Sequence, residues 1–152
     1  MSRARTATTP SPSAYKAEKN KEMVRKYFRL FNEHDIDKMS DLISPNHRFY
    51  FPQNPPLDWT GHKLLLSLVY YQAFPDMHLN IEEMTAGGNY VIVRVAIMGT
   101  HKGVFQGKQP TGKRFSIGAL LILHVDNNDS KIAEEWIVLN PIELTHNLAE
   151  GN

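Results

Sequence analysis

From Asn20 to His34, apolar side chains recur at Met23, Val24, Tyr27, Phe28 and Phe31. That spacing makes one stripe on a helix, with Lys21, Arg25 and Arg29 turned outward. Asn32-Glu33-His34-Asp35 breaks it, and a second short helix is predicted from Ile36 to Leu42, carrying Met39, Leu42 and Ile43 inward. Ser44-Pro45-Asn46 ends that helix, because a residue before proline resists helical backbone angles. His47 to Phe51 reads as a strand with Phe49 and Phe51 on one face. After a polar loop from Pro52 to Pro56, Trp59-Thr60-Gly61 leads into a third helix from about His62 to Phe74. Its apolar positions are Leu64, Leu65, Leu68, Val69 and Tyr71 or Gln72, and Phe74-Pro75-Asp76 is its stop.

Beyond this point the hydrophobic period changes from 3.6 to 2. Leu79 and Ile81 alternate with Asn80 and Glu82, and Gly87-Gly88-Asn89 marks a hairpin turn. From Tyr90 to Gly99, Val91, Val93, Val95 and Ile97 share one face; Tyr90, Ile92, Arg94, Ala96 and Met98 share the other. An inner strand is expected there. Lys113 to Val125 repeats the pattern, Asp126-Asn127-Asn128-Asp129 turns it, and Lys131 to Leu139 follows before Pro141. Three helices beside a long, mostly antiparallel sheet make an α+β fold. A sheet of that length tends to curl, and helices closing one end leave a cavity inside it.

The 152 residues fit one domain. It is expected over residues 19–152, behind a disordered tail over residues 1–18. Met1 to Ala14 is rich in Ser, Thr, Ala and Pro, with Arg3 and Arg5 and no acid. Organelle transit peptides share that composition, but a plain disordered tail is favoured. No apolar run approaches the ~20 residues that span a bilayer. Seventeen basic residues against sixteen acidic ones leave no basic excess of the kind that marks a nucleic-acid surface. The chain has no cysteine, which excludes disulfides and thiol chemistry and is compatible with a cytoplasmic setting. Its seven histidines show none of the local spacings of a metal site, and no metal is expected.

Four short motifs recur in order: Phe74-Pro75-Asp76 with His78, Gly99-Thr100-His101, Pro110-Thr111-Gly112, and Glu135-Trp136. Together with the order of elements they resemble the SnoaL-like polyketide cyclases, within the NTF2-like superfamily of α+β cones, over roughly Asn20 to Glu150. The resemblance implies a cofactor-independent acid/base enzyme of the cyclase or isomerase type acting on a hydrophobic carbonyl compound. It implies a catalytic acid four residues after the tryptophan, assisted by a histidine on the preceding strand. Those positions here are Asn140 and His124. An amide has no lone pair basic enough to take up a proton at neutral pH, although it can polarise a carbonyl. The departure keeps a second function open, that of a non-catalytic ligand-binding or dimeric interaction module.

Whether His124 meets Asn140 depends on register. A two-residue turn at Asn127-Asn128 groups His124 with Ala133 and Glu135. One extra bulged residue groups it instead with Glu134, Trp136 and Asn140, and the resemblance favours this second register. Trp136, Glu134, His101, Phe31, Phe49, Tyr71 and Phe74 are the candidate ligand-binding residues. Gly103, Gly107 and Gly112 match no phosphate-binding motif and read as a strand connection. A related epoxide-hydrolysing family uses an Asp-Arg-Asp set, for which Arg94 is the one candidate arginine. Partners expected are a small hydrophobic ligand and a second copy of the chain, with no nucleic acid or membrane. The homodimer is expected because the Val91–Ile97 face, together with Phe115, Ile117, Ala119, Leu121 and Leu123, offers more apolar surface than a monomeric cone covers.

Overall fold

Ser11 and Pro12 start the first helix. Ser11 Oγ accepts from the Ala14 N–H at 3.2 Å, and Pro12 takes the first helical position, where a missing N–H is no loss. The computed structural model describes residues 9–139, and in it α1 spans Pro12–Asn32. The expected tail over residues 1–18 is therefore corrected for its second part: the Ser/Pro composition that reads as tail contains a helix cap. Tyr27, Phe28, Leu30 and Phe31 are buried on one side of α1. At its end the Asn32 amide acts as a strand partner, donating to Leu79 O at 2.9 Å and accepting from Leu79 N at 2.8 Å. A short α2, Ile36–Ser40, follows under an Asp35 cap.

β1 spans Ile43–Tyr50, so it begins where the second helix was expected to finish. Pro45 lies inside it, which an edge strand tolerates, and the pairing slips between Ile43 and Arg48. The remaining strands are β2 (His78–Gly87), β3 (Tyr90–Thr100), β4 (Arg114–Val125) and β5 (Ile132–Val138). They form one five-stranded sheet in the order β1-β5-β4-β3-β2. Only the β1–β5 pair is parallel. Val91, Val93, Val95 and Ile97 and the facing residues of β4 are buried in the core cluster shared with α1. The apolar surface from which the homodimer was expected is thus covered inside one chain. The opposite face leaves Tyr90, Ile92, Leu120 and Val138 exposed.

The third helical run begins at α3 (Trp59–Leu64), capped by Asp58, whose carboxylate accepts from Gly61 N at 2.8 Å. It passes through a π-helical stretch, Leu65–Tyr70, and ends as α4, Tyr71–Ala73. The expected apolar stripe is half right: Leu65 and Tyr71 turn inward, but Leu64, Leu68 and Val69 are exposed, while His62, Leu66 and Ala73 are buried. His62, Leu66, Tyr70 and Phe74 turn to the interior at four-residue spacing, which an α-helix cannot hold on one line. The wider π turn, closed by the Tyr71 N–H on Leu66 O, restores the alignment.

Candidate active site in an apolar cavity

Between α1, the 59–74 helical run and the inner face of the sheet lies a cavity of about 100 Å³. Phe28, Phe31, Phe49, Leu66, Phe74 and Phe115 are among its walls, and the half-buried Phe51, Leu65 and Leu139 stand on its solvent side. Such a lining favours a flat apolar guest. Its charged lining residue is Glu135, with Tyr27 and His62 beside it.

These three side chains, with His47 behind them, form the polar wall. Glu135 is 3% exposed, and its Oε2 accepts from the Tyr27 hydroxyl at 2.9 Å. His47 Nδ1 donates to Ile132 O at 3.1 Å. Its Nε2 faces His62 Nδ1 at 3.4 Å, and both nitrogens stand 3.9 Å from Glu135 Oε2. Phe49 stacks on the His62 ring at 3.8 Å, and Trp59 meets both imidazoles edge-on. Burial pushes the Glu135 carboxyl up to about 7, against the lowering pull of the Tyr27 hydrogen bond. Burial, helped by His47, holds the His62 imidazole down at about 3, and burial lowers His47 too. Tyr27 lies well above the ordinary phenol value, through burial first and then the adjoining carboxylate. The wall is a desolvated set in which acid and imidazoles all favour their neutral forms.

Of the residues picked from sequence, Phe31, Phe49 and Phe74 line this cavity. Tyr71 packs beside it, its ring against Phe31 and its hydroxyl donating to Phe31 O at 2.9 Å. The expected position of His124 is corrected. The bulged grouping holds, since His124 pairs with Glu134 and the register slips between His124 and Val125. That group, with Trp136, lies on the sheet face away from the cavity. Leu121, Leu123 and Val125 are buried, so strict alternation along β4 turns His124 out. The same parity brings Glu135 in and leaves Glu134 and Trp136 out, where Trp136 stacks on Tyr50 at 5.1 Å. His124 Nδ1 is 3.4 Å from Glu134 Oε1. Asn140 lies outside the described residues. Arg94, expected as a candidate buried arginine, is exposed and paired with Glu82 and Glu83.

His101 is buried away from the cavity lining, in a clamp built from the other motifs. Its Nδ1 accepts from Thr111 N at 3.3 Å and lies 3.0 Å from Thr111 Oγ1. Asp76 accepts from the Thr100 N–H at 2.7 Å and from its hydroxyl at 2.6 Å. Lys102 and Gly103 N–H both donate to Ala73 O, closing the helix end. A Cβ on Gly103 would fall 2.2 Å from Gln72 O, so only glycine fits.

Sequence reasoning missed Tyr27, His47 and His62 as polar-wall residues. For Glu135 a signal existed, because alternation on β4 fixes the parity of β5 once the bulge is granted. For the histidines none did, since β1 and α3 meet only in the fold.

No curated protein sequence matches the chain. Among solved structures it is similar to AclR, a candidate hydroxylase from Streptomyces galilaeus, at 26% identity and TM-score 0.78, covering 90% of this chain and 99% of that one. It is similar also to IdmH, a candidate polyketide cyclase from Streptomyces antibioticus, at 23% identity and TM-score 0.74, covering 86% and 99%. A candidate SnoaL-like cyclase from Jannaschia sp. CCS1 shares the fold at 18% identity and TM-score 0.80, covering 96% and 100%. These neighbours have the NTF2-like fold. Residues 21–148 match the SnoaL-like polyketide cyclase family, and the chain belongs to that family.

Proposed function

We propose that the chain binds a small, largely apolar molecule carrying a carbonyl or hydroxyl oxygen and acts on it at the Tyr27–His62–Glu135 wall. The observation that supports this reading is the buried carboxylate turned into a cavity of aromatic and aliphatic side chains. Such a group weakens the fold unless well paired, and perturbed groups in clefts concentrate at functional sites. In a polyketide cyclase family the matching reaction is proton transfer at the carbon beside a carbonyl. Glu135, in place of His124 and Asn140, is the group assigned to exchange that proton.

The test compares a flat ketone with a hydrocarbon of its shape, 1-tetralone against tetralin, and follows deuterium exchange at the ketone's α carbon by NMR. Tighter ketone binding is expected, and Ile117→Trp, which fills the cavity, abolishes it. Glu135→Gln removes the exchange while ketone affinity stays within about tenfold. Ketone binding without exchange favours the non-catalytic binding module, and absence of binding overturns both readings.

A homodimer through the outer sheet face is the proposed assembly, supported by the exposed Tyr90, Ile92 and Leu120 on neighbouring strands. Sedimentation velocity at micromolar concentration is expected to give a dimer that Leu120→Glu dissociates; a wild-type monomer overturns it.

A further inference from the structure

Three side-chain atoms of metal-ligand type converge at the wall. Because Ile132 O can only accept, His47 Nδ1 carries the hydrogen of that contact, and in the neutral ring Nε2 is left bare. Glu135 Oε2 already accepts from Tyr27. His62 Nδ1 completes a triangle with edges of 3.4, 3.9 and 3.9 Å. All three side chains are buried, at 4% exposure or less, so bulk water does not fill the centre. A cation that displaces the protons of His62 Nδ1 and Glu135 is held by all three atoms.

We propose that His47 Nε2, His62 Nδ1 and Glu135 Oε2 form a binding site for one divalent first-row transition ion. Donors held at about 2.0–2.2 Å around a tetrahedral ion stand roughly 3.4 Å apart. One edge already has that length, and the other two close by about half an ångström. The outer contacts are those that fix metal ligands. Ile132 O orients His47 through its far nitrogen, Tyr27 holds the Glu135 oxygen, and Phe49 and Trp59 set the imidazole planes. Two imidazoles and one carboxylate suit Zn²⁺, Co²⁺ or Fe²⁺, whereas Ca²⁺ and Mg²⁺ take oxygen sets. His62 and Glu135 line the cavity and His47 does not. Three protein donors therefore leave a coordination position on the cavity side.

This inference deepens the reading above and rests on it for the guest. In the metal-free chain Glu135 exchanges the proton; with the ion bound it would be a ligand, and the ion would polarise a guest oxygen from the cavity side. The ion itself can be measured with no guest present, so the two readings fail separately.

The experiment uses the untagged full chain, stripped with chelator. Zn²⁺ uptake is followed by titration calorimetry, and Co²⁺ uptake by its visible d–d bands. One ion per chain is expected, with low-coordinate cobalt bands and a raised melting temperature. Glu135→Gln keeps the side-chain shape and the Tyr27 contact, so it tests the site even if His47→Gln fails to fold. It weakens uptake by more than about 100-fold, beyond the loss caused by removing an outer partner. His78→Gln, on the surface, leaves uptake unchanged. Zn²⁺ uptake that is absent in the wild type, or equal in Glu135→Gln, means that the cluster holds protons alone and overturns the site.

Discussion

The clamp around His101 and the wall around Glu135 both bury histidines and use an acid, and they are assembled on opposite plans. In the clamp, Asp76 takes two hydrogens from Thr100, Thr111 donates to His101, and Ala73 O takes two from the passing loop, while the buried His101 Nε2 has no hydrogen-bond partner. In the wall, two imidazole nitrogens and a carboxyl oxygen stand within 3.9 Å of one another, and the Tyr27 hydroxyl donates to that oxygen. Burial acts on both, but at Asp76 the Thr100 hydrogen bonds outweigh it and draw the carboxyl below its ordinary value. At Glu135 burial wins and the carboxyl rises to about 7. An acid held ionised by hydrogen bonds contributes stability, whereas an acid raised by burial weakens the fold and is ready for a ligand.

The largest effect is expected where the clamp has no room to yield. Gly103→Ala sets a methyl against the Gln72 carbonyl, so the loop must leave the helix end and release both hydrogen bonds to Ala73 O. A loss on the order of 3–4 kcal/mol, the scale of a severe backbone clash, is expected in urea unfolding. A loss under about 1 kcal/mol would mean that loop and helix end move apart freely, and the clamp would lose its structural role.

Opposite signs at the two acids sharpen the comparison. Asp76→Ala removes two charge-assisted hydrogen bonds at an exposed position and should lower stability by about 1–2 kcal/mol. Its folded carboxyl titrates below the unfolded one. The contribution is therefore fully present above the ordinary aspartate range and is lost as pH falls through the lower folded value. The variant's stability should then fall less steeply than the wild type's below about pH 4. Glu135→Gln in chelator should leave stability unchanged or raise it by about 1 kcal/mol, because a neutral amide replaces a buried carboxylate of similar shape. A loss at Glu135 as large as that at Asp76 would remove the distinction between the two sites.

Much of the fold was legible because it is written in local periodicity. The Val91–Ile97 alternation, the Gly87-Gly88-Asn89 turn and the α1 stripe carry their own partners a few residues away. What failed was local pattern overridden by packing. Leu64, Leu68 and Val69 make a sound helical stripe in sequence, yet the π turn presents His62 and Leu66 to the core instead. Three of the four motifs that gave the family away belong to the clamp, where glycine and hydrogen-bond geometry constrain residue types tightly. The polar wall uses ordinary residue types on β1, α3, α1 and β5. Spacing rules for metal or acid/base sites look along one helix or loop, and cannot find side chains that four elements bring to one point.

The smallest expected effect concerns His124, which tests whether the two faces of β4 are independent. Its ring lies on the outer face against Tyr90, at 4.9 Å between centroids, and beside Glu134. Leu123 and Val125, one position either side in the alternation, face inward. Truncating it to alanine removes a half-buried ring contact and the approach to Glu134, together worth on the order of 1 kcal/mol. Reaching the cavity from there would require twisting β4, whose backbone is paired on both sides by β3 and β5. Tetralone affinity should therefore change less than twofold in His124→Ala, while Glu135→Gln abolishes exchange. A tenfold loss of affinity at His124 would show that the outer face feeds the site through the strand, and would return part of the polar machinery to the histidine that the family resemblance implied.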